Sequence, residues 1–337
     1  MIYPSFLKDK ATIGVPAPSA AASKETKKTK YKNSYERLTN LGYNVVLSKN
    51  YYHCERGRSA SGKYRGKEVN EMLKDKNIDM IICTTGGDFL VECIPYIDFN
   101  LIKKNPKFIV GFSDPTGILF PITTKYDIAT IYGTNFSSFG TAKLDKYQKD
   151  FLDLLKGNLK EYHSASKYED GYHDEITGLE NSLYTKKVVW KTIDNKPVKV
   201  KGRIIGGCLD LINELAGTKY DGTKDFINRY SKDGIIWYFD NCELSCEEVI
   251  RVLWRFNELG YFNNTKAVIF GRFGQEKTYY DYTVKGCLLD SVLKELNIPV
   301  IYDADFSHKA PCLPVINGSI AHLTVKDGKG TISYELK

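Results

Sequence analysis

The sequence predicts an α/β protein with two domains, the first of them built on a parallel β-sheet. The chain has 337 residues, 42% of them apolar, which is enough for a sizeable core divided between two domains. In the first half, short apolar runs alternate with longer amphipathic segments, a pattern typical of strands and helices in a parallel sheet. An irregular polar stretch then interrupts this pattern. We therefore predict an N-terminal domain over 1–162, a connecting segment over 163–185 and a C-terminal α/β domain over 186–337.

The predicted N-terminal domain is flavodoxin-like, with helices on both faces of its sheet. Its strands are predicted at 12–16, 43–47, 79–84, 108–112 and 128–132. Its helices are predicted at 23–41, 61–76, 89–96, 115–125 and 145–158. Because parallel strands end at the same edge of a sheet, we expect polar side chains after these strands to form a ligand site.

The C-terminal half is also predicted to mix strands and helices. Strands are predicted at 188–192, 198–205, 235–239, 267–270 and 300–302. Helices are predicted after Gly206-Gly207, at 246–259 and at 284–296. The segments 322–326 and 331–336 flank Asp327-Gly328, a sequence that favours a hairpin turn.

Composition argues against several classes of protein. The net charge is +7, but the basic residues are scattered except in 24–30, where their spacing fits the solvated face of a helix. We therefore expect no nucleic-acid partner. The eight cysteines form no C-x-x-C pair, and four of them lie in apolar runs, so we expect no metal site and a reducing, cytoplasmic location. We also expect no cofactor. No apolar run reaches about 18 residues and the N-terminus lacks a signal-peptide pattern, so we expect no membrane segment.

Ser113 is the candidate nucleophile. It lies in the stretch VGFSDPTGIL, where Gly111 is near the end of a predicted strand and a helix is predicted to begin near Asp114. Pro115 suits the first turn of a helix, since its missing N–H has no intrahelical partner there. This position would project the serine hydroxyl at the mouth of the sheet. The alternative is that Ser113 simply caps the helix.

Paired glycines follow the strand before it, in TTGGDF. Gly86 and Gly87 allow a backbone to approach a ligand closely. The N–H of Gly87, together with that of Asp114, could form an oxyanion hole for a serine nucleophile. A plain strand-to-helix turn is the alternative for this motif.

A serine nucleophile needs a base, usually a histidine that a carboxylate orients. His308 follows a predicted strand in DADFSHKAP, whereas the other four histidines lie in polar stretches or in a terminal strand. Two candidate acids, Asp240 and Glu243, follow the buried strand in IIWYFDNCELS. The alternatives are a surface histidine, a turn aspartate and a glutamate that helps a helix to begin.

Taken together, these segments resemble the LD-carboxypeptidase family of serine peptidases (family S66), which includes the microcin C immunity hydrolases. The resemblance extends over most of the chain, with the motifs in the family's order. The segments that carry it are IGVPAPSA, TTGGDF, GFSDPTGIL, GRIIGGCLDLINELAGTKYD, IWYFDNCEL and DADFSHKAPCLPVINGS.

The resemblance implies a serine–acid–histidine triad, with Ser113 in the N-terminal domain and His308 and its acid in the C-terminal one. It also implies hydrolysis of the bond between an L-centre and a terminal D-amino acid, a small peptide substrate, a homodimer and no metal. The family usually has glutamate where this chain has Asp240. Alignment favours Asp240 as the acid, and Glu243 is the alternate.

Three further residues are implied as substrate contacts by the same resemblance: Gly86, Cys208 and Trp190. Cys208 stands where the family often has asparagine after Gly-Gly. Trp190 precedes the C-terminal domain in a region that contributes substrate contacts in the microcin-type relatives. Its residue type alone favours a place in the core.

Three other functions remain open from the sequence. The same fold could hydrolyse peptidyl- or aminoacyl-adenylates and so confer immunity. An α/β-hydrolase esterase shares the order serine, acid, histidine, but its nucleophile turn is G-x-S-x-G and the second residue after Ser113 is Pro115. A non-enzymatic protein could instead hold an anion at the helix start near Asp114.

Overall fold

The computed structural model describes residues 1–171, 173 and 175–337. The chain divides into two compact units. The first contains Met1–Leu159 and His173–Ser182, and the second contains Lys160–Tyr172 and Leu183–Lys337. The predicted connecting segment, 163–185, is thus shared between the two units.

Five parallel strands form a sheet in the first unit, which confirms the predicted α/β class. They are β1 (Thr12–Val15), β2 (Asn44–Leu47), β3 (Met80–Ile82), β4 (Phe108–Gly111) and β5 (Thr130–Tyr132). Their order is β5-β4-β3-β1-β2, and each neighbouring pair is parallel. The central strands β3 and β4 are buried along their whole length, as their continuous apolar sequences predict.

The helices of the first unit are α1 (Glu25–Asn40), α2 (Gly62–Lys74), α3 (Asn100–Lys104), α4 (Thr116–Tyr126) and α5 (Lys146–Leu155). The helix predicted at 89–96 is instead two 3₁₀ turns, Leu90–Glu92 and Ile94–Tyr96. Pro95 explains the difference, because it has no N–H to donate to the preceding turn. The short helix α3 was not predicted.

An eight-stranded mixed sheet forms the centre of the second unit. Its strands are β6 (Tyr162–His163), β9 (Lys191–Thr192), β10 (Val198–Cys208), β11 (Ile235–Asp240), β12 (Thr265–Gly271), β13 (Val300–Ala304), β15 (Ile320–Lys326) and β16 (Lys329–Glu335). Their order is β6-β16-β15-β10-β11-β12-β13-β9. The strands β10 to β13 are parallel, so their carboxyl ends lie at one edge. The predicted hairpin is confirmed, since Asp327 and Gly328 both have positive φ between β15 and β16.

Two predictions for the second unit need correction. Of the strand predicted at 188–192, only the last two residues form a strand, β9; a separate strand, β8 (Lys186–Lys187), precedes it and pairs with β7 (Lys167–Tyr168). The helix predicted at 284–296 ends at residue 289, and a 3₁₀ turn over Val292–Lys294 follows. Ser291 explains this break, because its hydroxyl accepts the N–H of Leu293 and begins a new turn.

The remaining elements of the second unit are α6 (Leu209–Leu215), α7 (Thr223–Arg229), α8 (Cys246–Glu258), α9 (Val284–Leu289) and β14 (Val315–Asn317). Helix α8 begins with a capping box formed by Ser245 and Glu248. Among the described residues, no helix combines the length and the apolar character needed to cross a bilayer.

Candidate active site

Ser113 lies on a sharp turn between β4 and α4. Its φ is 68°, in the left-handed region, which costs a non-glycine residue about 1–3 kcal/mol. Its carbonyl oxygen accepts the N–H of Thr116 at 2.9 Å. The turn is tight, because a Cβ added at Gly111 would lie 2.5 Å from the Cβ of Pro115. A serine that only caps a helix has extended dihedral angles, so this backbone differs from the capping alternative.

Two buried side chains hold this turn from β5 and the segment after it. The Asn135 side chain pairs with the Phe112 backbone, since Oδ1 accepts the N–H and Nδ2 donates to the carbonyl oxygen, both at 3.0 Å. The Tyr132 hydroxyl accepts the N–H of Ser113 at 3.3 Å. These contacts stabilise the strained serine backbone. We did not predict either residue, because a polar side chain that follows a strand has many possible partners.

Asp114 anchors the other side of the turn. Its buried carboxylate accepts the hydroxyl of Ser19 and, at 2.9 Å, the N–H of Leu90. Ser19 belongs to the PAPSA sequence after β1 and is itself fully buried. Asp114 directly follows Ser113, and its carboxylate therefore links this turn to the segments that follow β1 and β3.

The glycine pair lies directly against the serine. A Cβ added at Gly86 would lie 3.0 Å from the Ser113 Cβ and 3.2 Å from its Oγ. Gly87 has a φ of 151°, and a Cβ there would lie 3.0 Å from the Ala20 backbone nitrogen. Side chains at these two positions would therefore crowd the serine or strain the backbone. The oxyanion role of the Gly87 and Asp114 N–H groups stays a prediction.

In the second unit, Asp240 and His308 form a hydrogen-bonded pair. Asp240 is the last residue of β11 and is fully buried. Its Oδ1 lies 2.9 Å from His308 Nδ1 and accepts the His308 backbone N–H at 3.1 Å. These two contacts fix the imidazole orientation and leave Nε2 as the nitrogen for proton transfer.

Electrostatics favour the charged form of this imidazole. Burial lowers the pKa of His308, but the Asp240 carboxylate and its hydrogen bond outweigh burial and hold that pKa well above its ordinary value. An imidazolium beside Asp240 is therefore stabilised, as a general base requires after it accepts a proton.

Of the two candidate acids, the structure brings Asp240 to His308. The Glu243 side chain is exposed, while its backbone N–H donates to Asp210 Oδ1 at 3.1 Å. Asp210 also accepts the N–H of Cys242 at 3.0 Å. Asp210 was missing from our predicted site, although it lies only two residues after Cys208. Its carboxylate holds the backbone that follows Asp240.

Two predicted substrate contacts lie in the interior. Cys208 is buried, and its thiol donates to Asp210 Oδ2 at 3.4 Å. Trp190 is 1% exposed, and its indole N–H donates to Asp305 Oδ2 at 2.8 Å. Because burial leaves these side chains little surface for a ligand, we assign both a structural role and remove them from the proposed contacts.

Sulfur, imidazole and carboxylate groups come together near His308. Burial raises the pKa of the Cys242 thiol, and the neighbouring His308 imidazole partly lowers it. These residue types can bind metals. Within the described part of the chain, however, the structure contains no group of three or more such side chains arranged to hold a metal ion.

The loop that carries His308 is held by a buried ion pair. Arg272 donates from one guanidinium nitrogen to Asp305 Oδ1 at 2.6 Å, and both side chains are at most 5% exposed. Its other terminal nitrogen donates to the carbonyl oxygens of Lys309 and Pro311 at 2.7 and 3.1 Å. The pair therefore fixes the backbone on both sides of the histidine.

We expect Arg272→Met to lower the free energy of unfolding by about 3–5 kcal/mol, because it leaves Asp305 buried without its cation. Urea unfolding followed by tryptophan fluorescence measures this change. The control is Arg251→Met, at an exposed position of α8, which should change stability by less than about 0.5 kcal/mol. Equal effects of the two substitutions would contradict this role of the ion pair.

Comparison with known proteins places this chain among relatives of similar length. It is 28% identical to the microcin C7 self-immunity protein MccF of Escherichia coli, over 90% of this chain and 87% of that protein. A crystal structure of an MccF-like protein from Bacillus anthracis matches with a TM-score of 0.81 and 26% identity, over 100% of both chains. A muramoyltetrapeptide carboxypeptidase from Oxalobacter formigenes shares the fold, with a TM-score of 0.74 and 20% identity over 96% and 98% of the two chains.

MccF itself has been solved with aspartyl sulfamoyl adenosine, and that structure matches this chain with a TM-score of 0.78 and 25% identity over 100% of both chains. Family models match both units. The model of the LD-carboxypeptidase N-terminal domain matches residues 13–133, and that of the C-terminal domain matches residues 201–323. These two matches cover more than half of the 337 residues. The chain therefore belongs to the LD-carboxypeptidase family of peptidases.

Proposed function

We propose that this protein is a serine-type LD-carboxypeptidase, which hydrolyses the L,D bond before the C-terminal D-amino acid of a murein tetrapeptide. The observation that carries this proposal is the Asp240–His308 pair, a histidine base oriented by a buried carboxylate. Membership of the LD-carboxypeptidase family supports the bond that is cleaved. The strained backbone of Ser113 supports its role as nucleophile.

In the first half-reaction, Ser113 Oγ attacks the carbonyl carbon and His308 Nε2 accepts the hydroxyl proton. Asp240 Oδ1 accepts the Nδ1–H and stabilises the imidazolium. The N–H groups of Gly87 and Asp114 hold the negative oxygen of the tetrahedral intermediate. The C–N bond then breaks, and the Nε2 proton passes to the leaving amine of the D-amino acid.

In the second half-reaction, water attacks the ester that links the shortened peptide to Ser113. His308 Nε2 accepts a proton from this water and returns it to Ser113 Oγ as the ester bond breaks. The products are a tripeptide with a new carboxylate and the free D-amino acid. The enzyme ends in its starting protonation state.

A second candidate uses the same chemistry on peptidyl- or aminoacyl-adenylates and would confer resistance. The MccF relatives favour it, since MccF is 28% identical over 90% of this chain and has been solved with aspartyl sulfamoyl adenosine. Trp190 offers no support for a nucleotide, because its ring is buried in the core. We therefore keep the peptide substrate as the main proposal.

A comparison of two substrates tests this choice. The purified protein is incubated with the tetrapeptide L-Ala-γ-D-Glu-meso-diaminopimelate-D-Ala and, separately, with aspartyl sulfamoyl adenosine. We expect kcat/KM to be at least about 100-fold higher for the tetrapeptide, a free-energy difference that differential transition-state binding can supply. The same excess in favour of the nucleotide compound would replace the main proposal by the second candidate.

We also propose that the protein works as a homodimer in the cytoplasm without metal or cofactor. None of the eight cysteines, all of which lie in the described part of the chain, is in a disulfide, which fits a reducing compartment. Light scattering after gel filtration tests the assembly: a mass near 38.3 kDa at micromolar concentration would exclude the homodimer.

A further inference from the structure

The second unit contains a cavity that the proposed mechanism does not use. Its volume is about 480 Å³, which lies within the range of small-molecule sites. Lys309 forms part of its wall and directly follows His308. Because Arg272 lines the cavity and binds the Lys309 carbonyl oxygen, the cavity and the histidine loop share one support.

Two cations of the wall lie over aromatic rings that also line it. The Arg272 guanidinium lies 4.7 Å from the ring centre of Tyr168. The Lys191 ammonium lies 5.6 Å from the ring centre of Tyr302. Tyr282 adds a third ring. Such walls offer packing surface to the apolar parts of a polar ligand.

The wall contains more positive than negative charge. Its cations are Lys187, Lys191, Arg272, Lys285 and Lys309, and its acids are Glu276 and Asp303. Asp170 and Asp305 lie outside the lining but also pair with these cations. When their two negative charges are included, the net charge of the group is +1.

Three of the five cations already form ion pairs with carboxylates. Lys191 pairs with Asp303 at 2.8 Å, Arg272 pairs with Asp305, and Lys309 lies 3.3 Å from both Asp170 and Glu276. In the described part of the chain, Lys187 and Lys285 have no ion pair. These two lysines are therefore the groups available to an anionic ligand.

We infer that this cavity binds an anionic group of the substrate away from the bond that is cleaved, through Lys187 and Lys285. The group is a carboxylate in a murein peptide or a phosphate in an adenylate. This inference rests on the proposed function, because it takes His308, whose neighbour Lys309 lines the cavity, as the base. In this inference the two lysines increase the affinity for the substrate and take no part in the chemical step.

Binding to Ser113→Ala protein tests the inference without turnover. The ligands for calorimetry are the tetrapeptide, a tetrapeptide whose D-Glu and diaminopimelate carboxylates are amidated, and AMP. In this background, Lys187→Ala/Lys285→Ala should raise the Kd of the anionic ligand about tenfold. The matched control is Lys232→Ala, an exposed lysine outside the lining, which should leave Kd unchanged. The amidated peptide should bind equally to all variants.

The pattern among ligands identifies the source of the anion. An effect on the tetrapeptide supports a carboxylate site, and an effect confined to AMP supports a phosphate site. Equal Kd values for the double variant and Lys232→Ala, or no binding of either anion, would overturn the inference. In active protein, the double variant should raise KM with kcat unchanged. The proposed function is judged separately, by turnover of the tetrapeptide in protein with both lysines intact.

Discussion

Asp240→Asn is expected to lower kcat/KM about 10⁴-fold, whereas Glu243→Gln should change it less than about twofold. Asparagine keeps the size of the side chain but removes the charge that stabilises the imidazolium, and it favours the wrong tautomer of His308. Glu243 has an exposed side chain that the mechanism does not use. Steady-state kinetics of both variants on the tetrapeptide measure this difference. A larger loss in Glu243→Gln would assign the orienting acid to Glu243.

The pH profile gives an independent measure of the same pair. The base must be neutral to accept a proton, so kcat/KM rises with pH until His308 loses its proton. Because Asp240 holds the pKa of His308 well above its ordinary value, the acidic limb of the profile should lie above pH 6.5. In Asp240→Asn the residual activity should show this limb at lower pH. An unchanged limb would contradict the proposed coupling.

The second large effect is expected at Ser113. Ser113→Ala should lower kcat about 10⁴- to 10⁶-fold, and His308→Ala should cause a similar loss, because nucleophile and base act as a unit. The double variant should then be no worse than either single variant by more than about tenfold. Single-turnover rates measure the three variants, and circular dichroism checks that each is folded.

Losses that multiply in the double variant would contradict this account. Such a result would mean that Ser113 and His308 contribute to separate steps or to separate sites. A suitable control is Cys208→Ser, at a buried position that we assign a structural role. This variant should retain most of the activity. Any loss of activity should match a loss of folded protein and not a slower chemical step.

Much of the fold could be predicted from apolar periodicity. The buried runs of β3 and β4, the amphipathic α8 and the Asp327-Gly328 turn each carry a strong local signal. Errors arose where local sequence was ambiguous. Pro95 breaks a helical pattern into 3₁₀ turns, and Ser291 does the same after α9. The short strands at 186–187 and 191–192 depend on their partners more than on their own residues.

The choice between Asp240 and Glu243 could not be made from sequence physics, because both acids follow the same buried strand. The structure separates them by position: Asp240 is the last residue of β11 and is buried, whereas Glu243 lies three residues later and is exposed. The supports of the site were missed for a related reason. Asn135, Asp210 and Arg272 act through contacts with residues 23 to 39 positions away in the chain, which spacing does not reveal.

Release of D-alanine from L-Ala-γ-D-Glu-meso-diaminopimelate-D-Ala, compared between wild type and Ser113→Ala, tests the central claim most directly. The account predicts stoichiometric release of D-alanine and a tripeptide by the wild type, and at least about a 10⁴-fold slower rate for the variant. Equal rates in the two proteins would exclude Ser113 as the nucleophile. An intact tetrapeptide after prolonged incubation with active wild-type protein would contradict the LD-carboxypeptidase assignment.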